Sequence, residues 1–242
     1  MALLEAKGVA VRFGGIMAVN NVDFEAEAGQ ITGLIGPNGA GKTTLFNVMT
    51  GLQPANTGRV LLDGADVTRL SPTRRARRGI GRTFQRLELF GHLTVRENVR
   101  VAADFRRGWS KDKTDPAIVT EEVIERLALG SVGEAKVGEL PTGLCRQVEL
   151  ARAMAIRPRV LLLDEPASGQ DETETETLSA TMQALAAEGL AIVLVEHDLR
   201  LVMEVCARIY VLDLGSVITH GRPEEVREHP GVLAAYIGSE LA

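Results

Sequence analysis

The chain has 242 residues, of which 45% are hydrophobic and 24% charged, a balance that is typical of a soluble globular protein. Its formal net charge of −5 gives no electrostatic reason to expect nucleic acid as a partner. Two cysteines, Cys145 and Cys206, are too few for a disulfide framework and lie in no metal-ligand spacing, so we expect buried thiols. A chain of this size can bury a core without disulfides or a structural metal.

The sequence has no pattern typical of a secretory leader or of a membrane-spanning segment. Residues 1–7 contain no basic stretch followed by a long apolar run. No apolar run approaches the roughly 20 residues that a spanning helix needs. We therefore expect a soluble protein that reaches a membrane only through a partner. An arginine-rich stretch from Arg69 to Arg82 favours a solvated helix face over a phosphate-binding patch.

The first 85 residues have the pattern of strands separated by glycine turns. The pattern predicts strands at 3–13, 21–28, 30–35, 58–63 and 80–84, and one helix at 41–50. Alternating apolar residues in the first strand indicate a half-buried antiparallel sheet. The run of Ile31, Leu34 and Ile35 is apolar enough for a strand that is buried on both faces.

From residue 94 to residue 156 the pattern becomes helical. Thr94 and Glu97 form a capping-box pattern, and Pro116 and Pro141 mark two further helix starts. After this block, strands alternate with helices: strands at 160–163, 190–195 and 209–212, and helices at 173–188 and 198–206. This alternation predicts a parallel sheet covered on both faces, with the helical block inserted into the α/β core.

One glycine-rich segment carries a specific binding pattern. Gly, four residues and then Gly-Lys-Thr form the P-loop pattern over Gly36, Pro37, Asn38, Gly39, Ala40, Gly41, Lys42, Thr43 and Thr44. The glycines permit backbone angles in which successive amides point at phosphate oxygens, and the following helix adds its positive N-terminal end. Lys42 is placed for the β- and γ-phosphates, and the Thr43 hydroxyl for Mg²⁺. Because the segment follows a buried strand and opens a helix, we predict that it binds ATP.

Three further polar residues follow predicted strands. Asp164 and Glu165 come directly after an apolar strand, and alone they would suit a solvated strand end or a helix cap. Beside a P-loop, the favoured interpretation is that Asp164 holds Mg²⁺ and that Glu165 activates or orients the attacking water. His197 follows the next strand, where a lone histidine is more often structural. The carboxyl ends of parallel strands line the ligand crevice, however, so His197 is a candidate donor to a γ-phosphate.

These motifs follow one another in the order found in the ABC ATPase family, which the chain resembles along nearly its whole length. The resemblance rests on the P-loop, the segment Arg82-Thr83-Phe84-Gln85, the pair Asp164-Glu165, Asp171 and His197.

The resemblance implies roles for single residues. Gln85 would be a catalytic residue that senses Mg²⁺ and the γ-phosphate, so Thr43, Gln85 and Asp164 form the expected metal set. Asp171 would lie between two ATP sites, and His197 would be the switch histidine. Phe13, ahead of Gly14-Gly15, would stack on adenine, although an ordinary core phenylalanine is the alternative.

The resemblance also implies a fold. We expect a single ABC ATPase domain over 1–242, with a RecA-like P-loop NTPase core of α/β class. The core would comprise residues 1–85 and 157–242 and include an N-terminal antiparallel β subdomain. Residues 86–156 would form an inserted α-helical subdomain.

Within the family, three fragments resemble ATP-binding subunits of branched-chain amino-acid importers: Arg12 to Gly15, Ile80 to Gln85, and Val232 to Gly238. Related subunits for urea uptake or lipopolysaccharide export share parts of these fragments. The resemblance therefore implies uptake of branched-chain amino acids or a related small solute, with lipopolysaccharide export as an alternative.

One motif departs from the family pattern. The family's signature loop, Leu-Ser-Gly-Gly-Gln, corresponds here to Leu140-Pro141-Thr142-Gly143-Leu144, which we call the signature loop. In the family, its serine and second glycine touch ATP held by the opposite subunit, so Gly143 is an expected nucleotide contact. Pro141 lacks both the hydroxyl and an amide proton. An uncompensated loss of a hydrogen bond to a charged group, ~1.5–3 kcal/mol, would slow one ATP site roughly 10- to 150-fold.

The expected function is ATP hydrolysis that powers an ABC membrane transporter from the cytoplasmic face of the membrane. The resemblance implies transmembrane permease subunits, a second ATP-binding subunit and an extracytoplasmic solute-binding protein as partners. The rival interpretation is a soluble ABC ATPase that acts on nucleic acid or ribosomes. Such proteins usually carry coiled-coil or zinc insertions or a second ATPase domain, and the sequence shows none of these. A small-molecule P-loop kinase would leave Gln85, Asp171 and His197 unexplained.

Overall fold

The computed structural model describes residues 2–232. Two sheets and a group of helices form the fold. The strands are β1 (Ala2–Phe13), β2 (Ile16–Glu27), β3 (Ile31–Ile35), β4 (Thr57–Leu62), β5 (Ala65–Asp66), β6 (Ile80–Arg82), β7 (Val160–Asp164), β8 (Ala191–Val195), β9 (Arg208–Asp213) and β10 (Ser216–Gly221). The helices are α1 (Lys42–Thr50), α2 (Pro72–Ala76), α3 (Val95–Trp109), α4 (Pro116–Arg126), α5 (Thr142–Ala155), α6 (Glu172–Ala187), α7 (Leu199–Val205) and α8 (Pro223–Arg227).

The first sheet is antiparallel, in the order β2-β1-β4-β5. The second has the order β10-β9-β3-β8-β7-β6, and only its edge strand β10 runs antiparallel to its neighbour. The α/β fold class and the antiparallel β subdomain are thus confirmed. Three helices, α3 to α5, lie between β6 and β7 in the chain, as the inserted helical block predicts.

The central strands of the parallel sheet are buried on both faces, because every residue of β3, β7 and β8 is buried. Side chains of a strand alternate between its two faces. In β7, Leu161 and Leu163 therefore pack in the cluster that includes the helical block. Val160 and Leu162 pack on the other side, with α1 and the antiparallel sheet. The parallel sheet therefore lies between two hydrophobic cores and contributes one face to each.

Four adjacent strands of this sheet end at the same edge. In the order β3-β8-β7-β6, their carboxyl ends lead into the P-loop, His197, Glu165 and Gln85 respectively. Residues that are far apart in sequence are brought together at this edge by the strand order alone. Among the described residues, no helix is long and apolar enough to cross a membrane.

Several sequence predictions need correction. The strand predicted at 21–28 begins earlier, at Ile16, directly after the Gly14-Gly15 turn. The strand predicted at 80–84 ends at Arg82, because the chain then leaves the sheet. Strands β5 and β10 and the five-residue helix α8 were not predicted, whereas α2 lies within the arginine-rich stretch that was predicted to be helical.

The arginine-rich stretch is only partly a solvated face. Arg69, Arg74, Arg77 and Arg78 are exposed, as predicted. Arg75 is buried, and its guanidinium donates to four backbone carbonyls, those of Val48, Met49, Thr68 and Leu70. The prediction was wrong for Arg75 because its partners come from α1 and the loop before α2, which the local pattern does not reveal.

Candidate active site

The P-loop fills the space between β3 and α1. Gly36 and Gly41 have φ angles of 150° and 103°, a region that only glycine adopts readily. A methyl group on Gly36 would overlap the carbonyl of Leu212 in β9, and one on Gly41 would overlap the carbonyl of Ala18 in β2. Glycine is therefore required at both positions for two reasons: the backbone angle, and the carbonyl group that lies where a side chain would be.

Helix α1 begins without a side-chain cap at Gly41. The first amides of a helix have no partner within the helix, so those of α1 can bind an anion. Lys42 is buried, and its Nζ lies 2.6 Å from the Gly36 carbonyl oxygen and 3.1 Å from that of Pro37. Burial lowers the pKa of Lys42, while the charges of Glu165 and Asp164 oppose that shift. A positive charge thus lies beside the loop and the two carboxylates.

Glu165 is the centre of a hydrogen-bonded chain. Its Oε2 accepts a hydrogen bond from Gln85 Nε2 at 3.1 Å, and its Oε1 lies 2.9 Å from His197 Nε2. An ionised carboxylate can only accept, so Nε2 of His197 carries the proton in this pair. Glu165 has a φ angle of 50°, and its amide donates to the carbonyl of Val195 in β8. The structure therefore brings together the three residues predicted to be catalytic.

Asp164 is buried at the end of β7. Burial raises the pKa of its carboxyl, and the Arg82 guanidinium, whose Nη2 lies 3.4 Å from Asp164 Oδ2, opposes that shift. A buried carboxylate beside a phosphate cradle favours a bound cation. The Asp164 carboxylate, the exposed Thr43 hydroxyl and the Gln85 amide oxygen are hard oxygen donors that suit Mg²⁺.

Phe13 ends β1 and is half exposed, at 50%. Phe13 pairs with Ile16, the first residue of β2, across the hairpin. The carbonyl of Ala18, also in β2, lies close to Gly41 of the P-loop. Because half of its surface is exposed, Phe13 is not an ordinary core phenylalanine. An exposed aromatic ring near the P-loop is compatible with adenine stacking, which stays a prediction.

Gly143 and Asp171 lie apart from the Glu165 chain. In residues 2–232, no hydrogen bond joins either of them to Gln85, Glu165 or His197. Asp171 is the N-cap of α6, in a capping box with Glu174. The Glu174 carboxylate also lies against Gly143, which is buried, so that a methyl group there would overlap it. The signature loop and the start of α6 are in direct contact.

Three functional candidates were not recognised in the sequence. Arg82 joins Asp164 to α1 through Asn47 Oδ1 at 2.9 Å and Thr50 Oγ1 at 3.2 Å. Glu196 is buried and accepts hydrogen bonds from the amides of Ala167 and His197, and burial raises its pKa.

The third candidate is a pair on α5, Arg146 and Glu149, which binds the backbone around Gln85. For Arg82 and Glu196, the available signal is position: Arg82 begins the recognised segment Arg82-Thr83-Phe84-Gln85, and Glu196 directly precedes His197. Arg146 and Glu149 are three residues apart on the helix that follows the signature loop.

The chain matches the ABC transporter family over residues 19–168. It is 37% identical to the high-affinity branched-chain amino acid transport ATP-binding protein BraF of Pseudomonas aeruginosa, over 98% of both chains. The chain belongs to the ABC transporter ATP-binding family. This ABC ATPase binds nucleotide and hydrolyses ATP as a transporter subunit.

Other relatives agree. The ABC ATPase is 39% identical to LivG of Escherichia coli K12, a branched-chain amino acid transport ATP-binding protein, over 98% of both chains. It is 33% identical to the lipopolysaccharide export system ATP-binding protein LptB of the same organism, over 100% of this chain and 99% of LptB. Residues 216–242 match the family described as branched-chain amino acid ATP-binding cassette transporter. Residues 233–238 of the predicted importer-like tail lie outside the described structure.

Solved structures give the same fold. An ATP-binding cassette from an ABC transporter, solved without nucleotide, superposes with a TM-score of 0.88 at 30% identity, covering 98% of this chain and 100% of that one. A cassette in its ADP conformation has a TM-score of 0.88 at 30% identity, covering 98% of this chain and 99% of the other.

Proposed function

We propose that this ABC ATPase holds Mg-ATP between its own P-loop and the signature loop of a second ATP-binding subunit, and that hydrolysis there drives import of branched-chain amino acids. One observation carries the choice of solute. The C-terminal segment, residues 216–242, matches the branched-chain amino acid cassette family. The end-to-end identity of 37–39% to BraF and LivG supports the same choice.

The chemistry of the proposal is assigned to the residues at the carboxyl edge of the sheet. Thr43, Gln85 and Asp164 would hold Mg²⁺, which supplies positive charge to the phosphate oxygens during transfer. Lys42 and backbone N–H groups of the P-loop, where only Pro37 has none to give, bind the β- and γ-phosphates.

Glu165 orients and polarises the attacking water, because its two oxygens are each held by a hydrogen bond. With ATP bound, His197 would turn its Nε2–H from Glu165 to the γ-phosphate, and Phe13 would stack on adenine. Gly143 and Asp171 act across the interface, toward the ATP site of the second subunit.

Permease subunits are the proposed membrane partners, since no described helix can span a bilayer. A groove between α1, α2 and α5 is lined by Leu52, Phe84, Ala102 and Ile156. Leu52 and Phe84 are 48% and 38% exposed, so the groove offers apolar surface next to Gln85. A permease segment docked there would hold the ATPase at the cytoplasmic face of the membrane, opposite an extracytoplasmic solute-binding protein.

Uptake of labelled leucine, isoleucine and valine tests the proposal. In cells that lack this chain, we expect uptake to fall to background, to return with the wild-type chain, and to stay absent with Lys42→Ala. Uptake of an unrelated sugar serves as the control. Unchanged branched-chain amino acid uptake would contradict the proposed solute, and a simultaneous defect in lipopolysaccharide export would favour an LptB-like role.

A further inference from the structure

The segment that carries Gln85 has little regular structure of its own. After β6 ends at Arg82, the amide of Thr83 still bonds to the carbonyl of Leu162, and then the chain leaves the sheet. Gln85 itself is exposed, yet its side chain must meet Glu165 at 3.1 Å. An irregular segment places a side chain this accurately only when other elements hold its backbone.

Side chains of α5 hold this backbone. The Phe84 amide donates to Glu149 Oε1 at 3.0 Å. The Arg146 guanidinium donates to the Phe84 carbonyl at 3.0 Å and to the Gln85 carbonyl at 2.8 Å. One turn further along, Arg152 donates to the carbonyl of Glu88. Four peptide groups of the segment are thus fixed by one face of one helix.

Arg146 and Glu149 also bind each other. Their side chains are 9% and 7% exposed, and Nη1 lies 3.3 Å from Oε2. A buried ion pair contributes little net stability compared with apolar residues of the same size. The role of this pair is therefore better explained by the groups that it orients than by its contribution to stability. The planar guanidinium can serve two successive carbonyls and a carboxylate at once, which the lysine ammonium cannot do with the same directions.

We propose that Arg146 and Glu149 are positioning residues for Gln85: through them, the helix that begins at the signature loop sets the hydrogen bond between Gln85 and Glu165. The pair acts on the Phe84 and Gln85 peptides, and Gln85 in turn acts on the carboxylate. The inference rests on the proposed roles of Gln85 and Glu165 in hydrolysis. It links the loop that faces one ATP site to the catalytic carboxylate of the other.

A double-mutant cycle on the full chain tests the inference. Arg146→Lys keeps the positive charge but loses the planar guanidinium with its several fixed donor directions. We expect kcat to fall roughly tenfold while the Kd for ATP changes less than about twofold. In a Gln85→Ala background, the same substitution should lower kcat by less than about twofold, because the residue it acts through is gone. Arg157→Lys, in an arginine that binds Asp112 and Glu122 away from the segment, is the matched control and should leave kcat unchanged.

Glu149→Gln provides a second route if Arg146→Lys does not fold. It keeps an acceptor for the Phe84 amide and removes the charge that orients Arg146, so the same non-additive loss is expected. The inference would be overturned if Arg146→Lys or Glu149→Gln lowered kcat by the same factor in the wild-type and the Gln85→Ala backgrounds. It would also be overturned if Arg146→Lys and Glu149→Gln both kept the wild-type kcat. Wild-type kcat in Gln85→Ala alone would instead refute the proposed role of Gln85, and the inference with it.

Discussion

At the scale of single residues, Gly36 is where the P-loop is most tightly constrained. Its φ angle of 150° and the nearby carbonyl of Leu212 both exclude a side chain. The carbonyl of Gly36 also accepts the shorter of the two hydrogen bonds from Lys42. Any shift of this residue therefore moves Lys42, the proposed phosphate-binding lysine.

We expect Gly36→Ala to weaken ATP binding at least about tenfold, because backbone strain of this kind costs on the order of 1–3 kcal/mol. Gly15→Ala is the matched control: nothing lies within 4 Å of a methyl group there, and its φ angle is not positive. Titration with a fluorescent ATP analogue measures both variants. Equal affinity of the two variants would show that the loop tolerates a side chain.

Residues with a local motif were predictable, and residues that act through distant contacts were not. The glycine spacing identified the P-loop, and the ends of apolar strands identified Glu165 and His197. The structure then placed Gln85 on the same carboxylate. By contrast, no local pattern reveals what Arg82 and Arg146 contact, because Arg82 binds Asp164, 82 residues away, and Arg146 binds carbonyls 61 and 62 residues away.

At the scale of elements, the C-terminal end of α1 depends on Arg75. Helix carbonyls in the last turn have no partner within the helix. Arg75 Nη1 lies 2.6 Å from the Val48 carbonyl and 2.8 Å from that of Met49, and its other nitrogens bind Thr68 and Leu70. Burial lowers the pKa of Arg75 to about 10, so the side chain stays charged at neutral pH.

We expect Arg75→Met to lower the free energy of unfolding by about 3 kcal/mol, because buried carbonyls lose a charged donor. Arg74→Met, the exposed neighbour on the same helix, should change it by less than about 0.5 kcal/mol. Urea unfolding followed by circular dichroism compares the two variants. If both substitutions lowered the free energy of unfolding by a similar amount, the burial and hydrogen bonds of Arg75 would not account for its contribution to stability.

Elements were predictable where pattern and burial coincide. Strands β3, β7 and β8 are five-residue, mainly apolar segments, and the structure buries every residue in them. The capping box at Thr94 is confirmed at the start of α3. Strand β10 was missed because Ser216–Gly221 is only half buried along its length and shows no alternation, and its pairing with β9 forms it.

At the scale of the whole molecule, the signature loop is the surface that this chain would present to the ATP of a second subunit in the proposed dimer. Pro141 is the N-cap of α5 and provides no side-chain cap, and Glu174 covers Gly143. An acidic side chain at this position opposes the approach of a phosphate. In the proposed dimer, this chain would therefore offer the second subunit's ATP a less favourable surface than a Leu-Ser-Gly-Gly-Gln loop offers.

We expect Pro141→Ser to raise the turnover of the ATP site that faces this loop roughly tenfold, because a hydroxyl donor is restored. Serine also caps a helix, so the free energy of unfolding is measured in parallel. Pro223→Ser, at the start of the distant helix α8, is the control for a proline-to-serine change. Unchanged turnover in Pro141→Ser would argue that the missing hydroxyl does not limit hydrolysis.

We propose that Glu165, held between Gln85 and His197, activates water for ATP hydrolysis. The most direct test measures ATP binding and steady-state hydrolysis by Glu165→Gln, with Glu176→Gln on the exposed side of α6 as control. We predict that Glu165→Gln binds ATP as the wild type does, while hydrolysis falls by at least about 100-fold. Hydrolysis within a factor of about two of the wild type, with ATP binding intact, would contradict this role of Glu165.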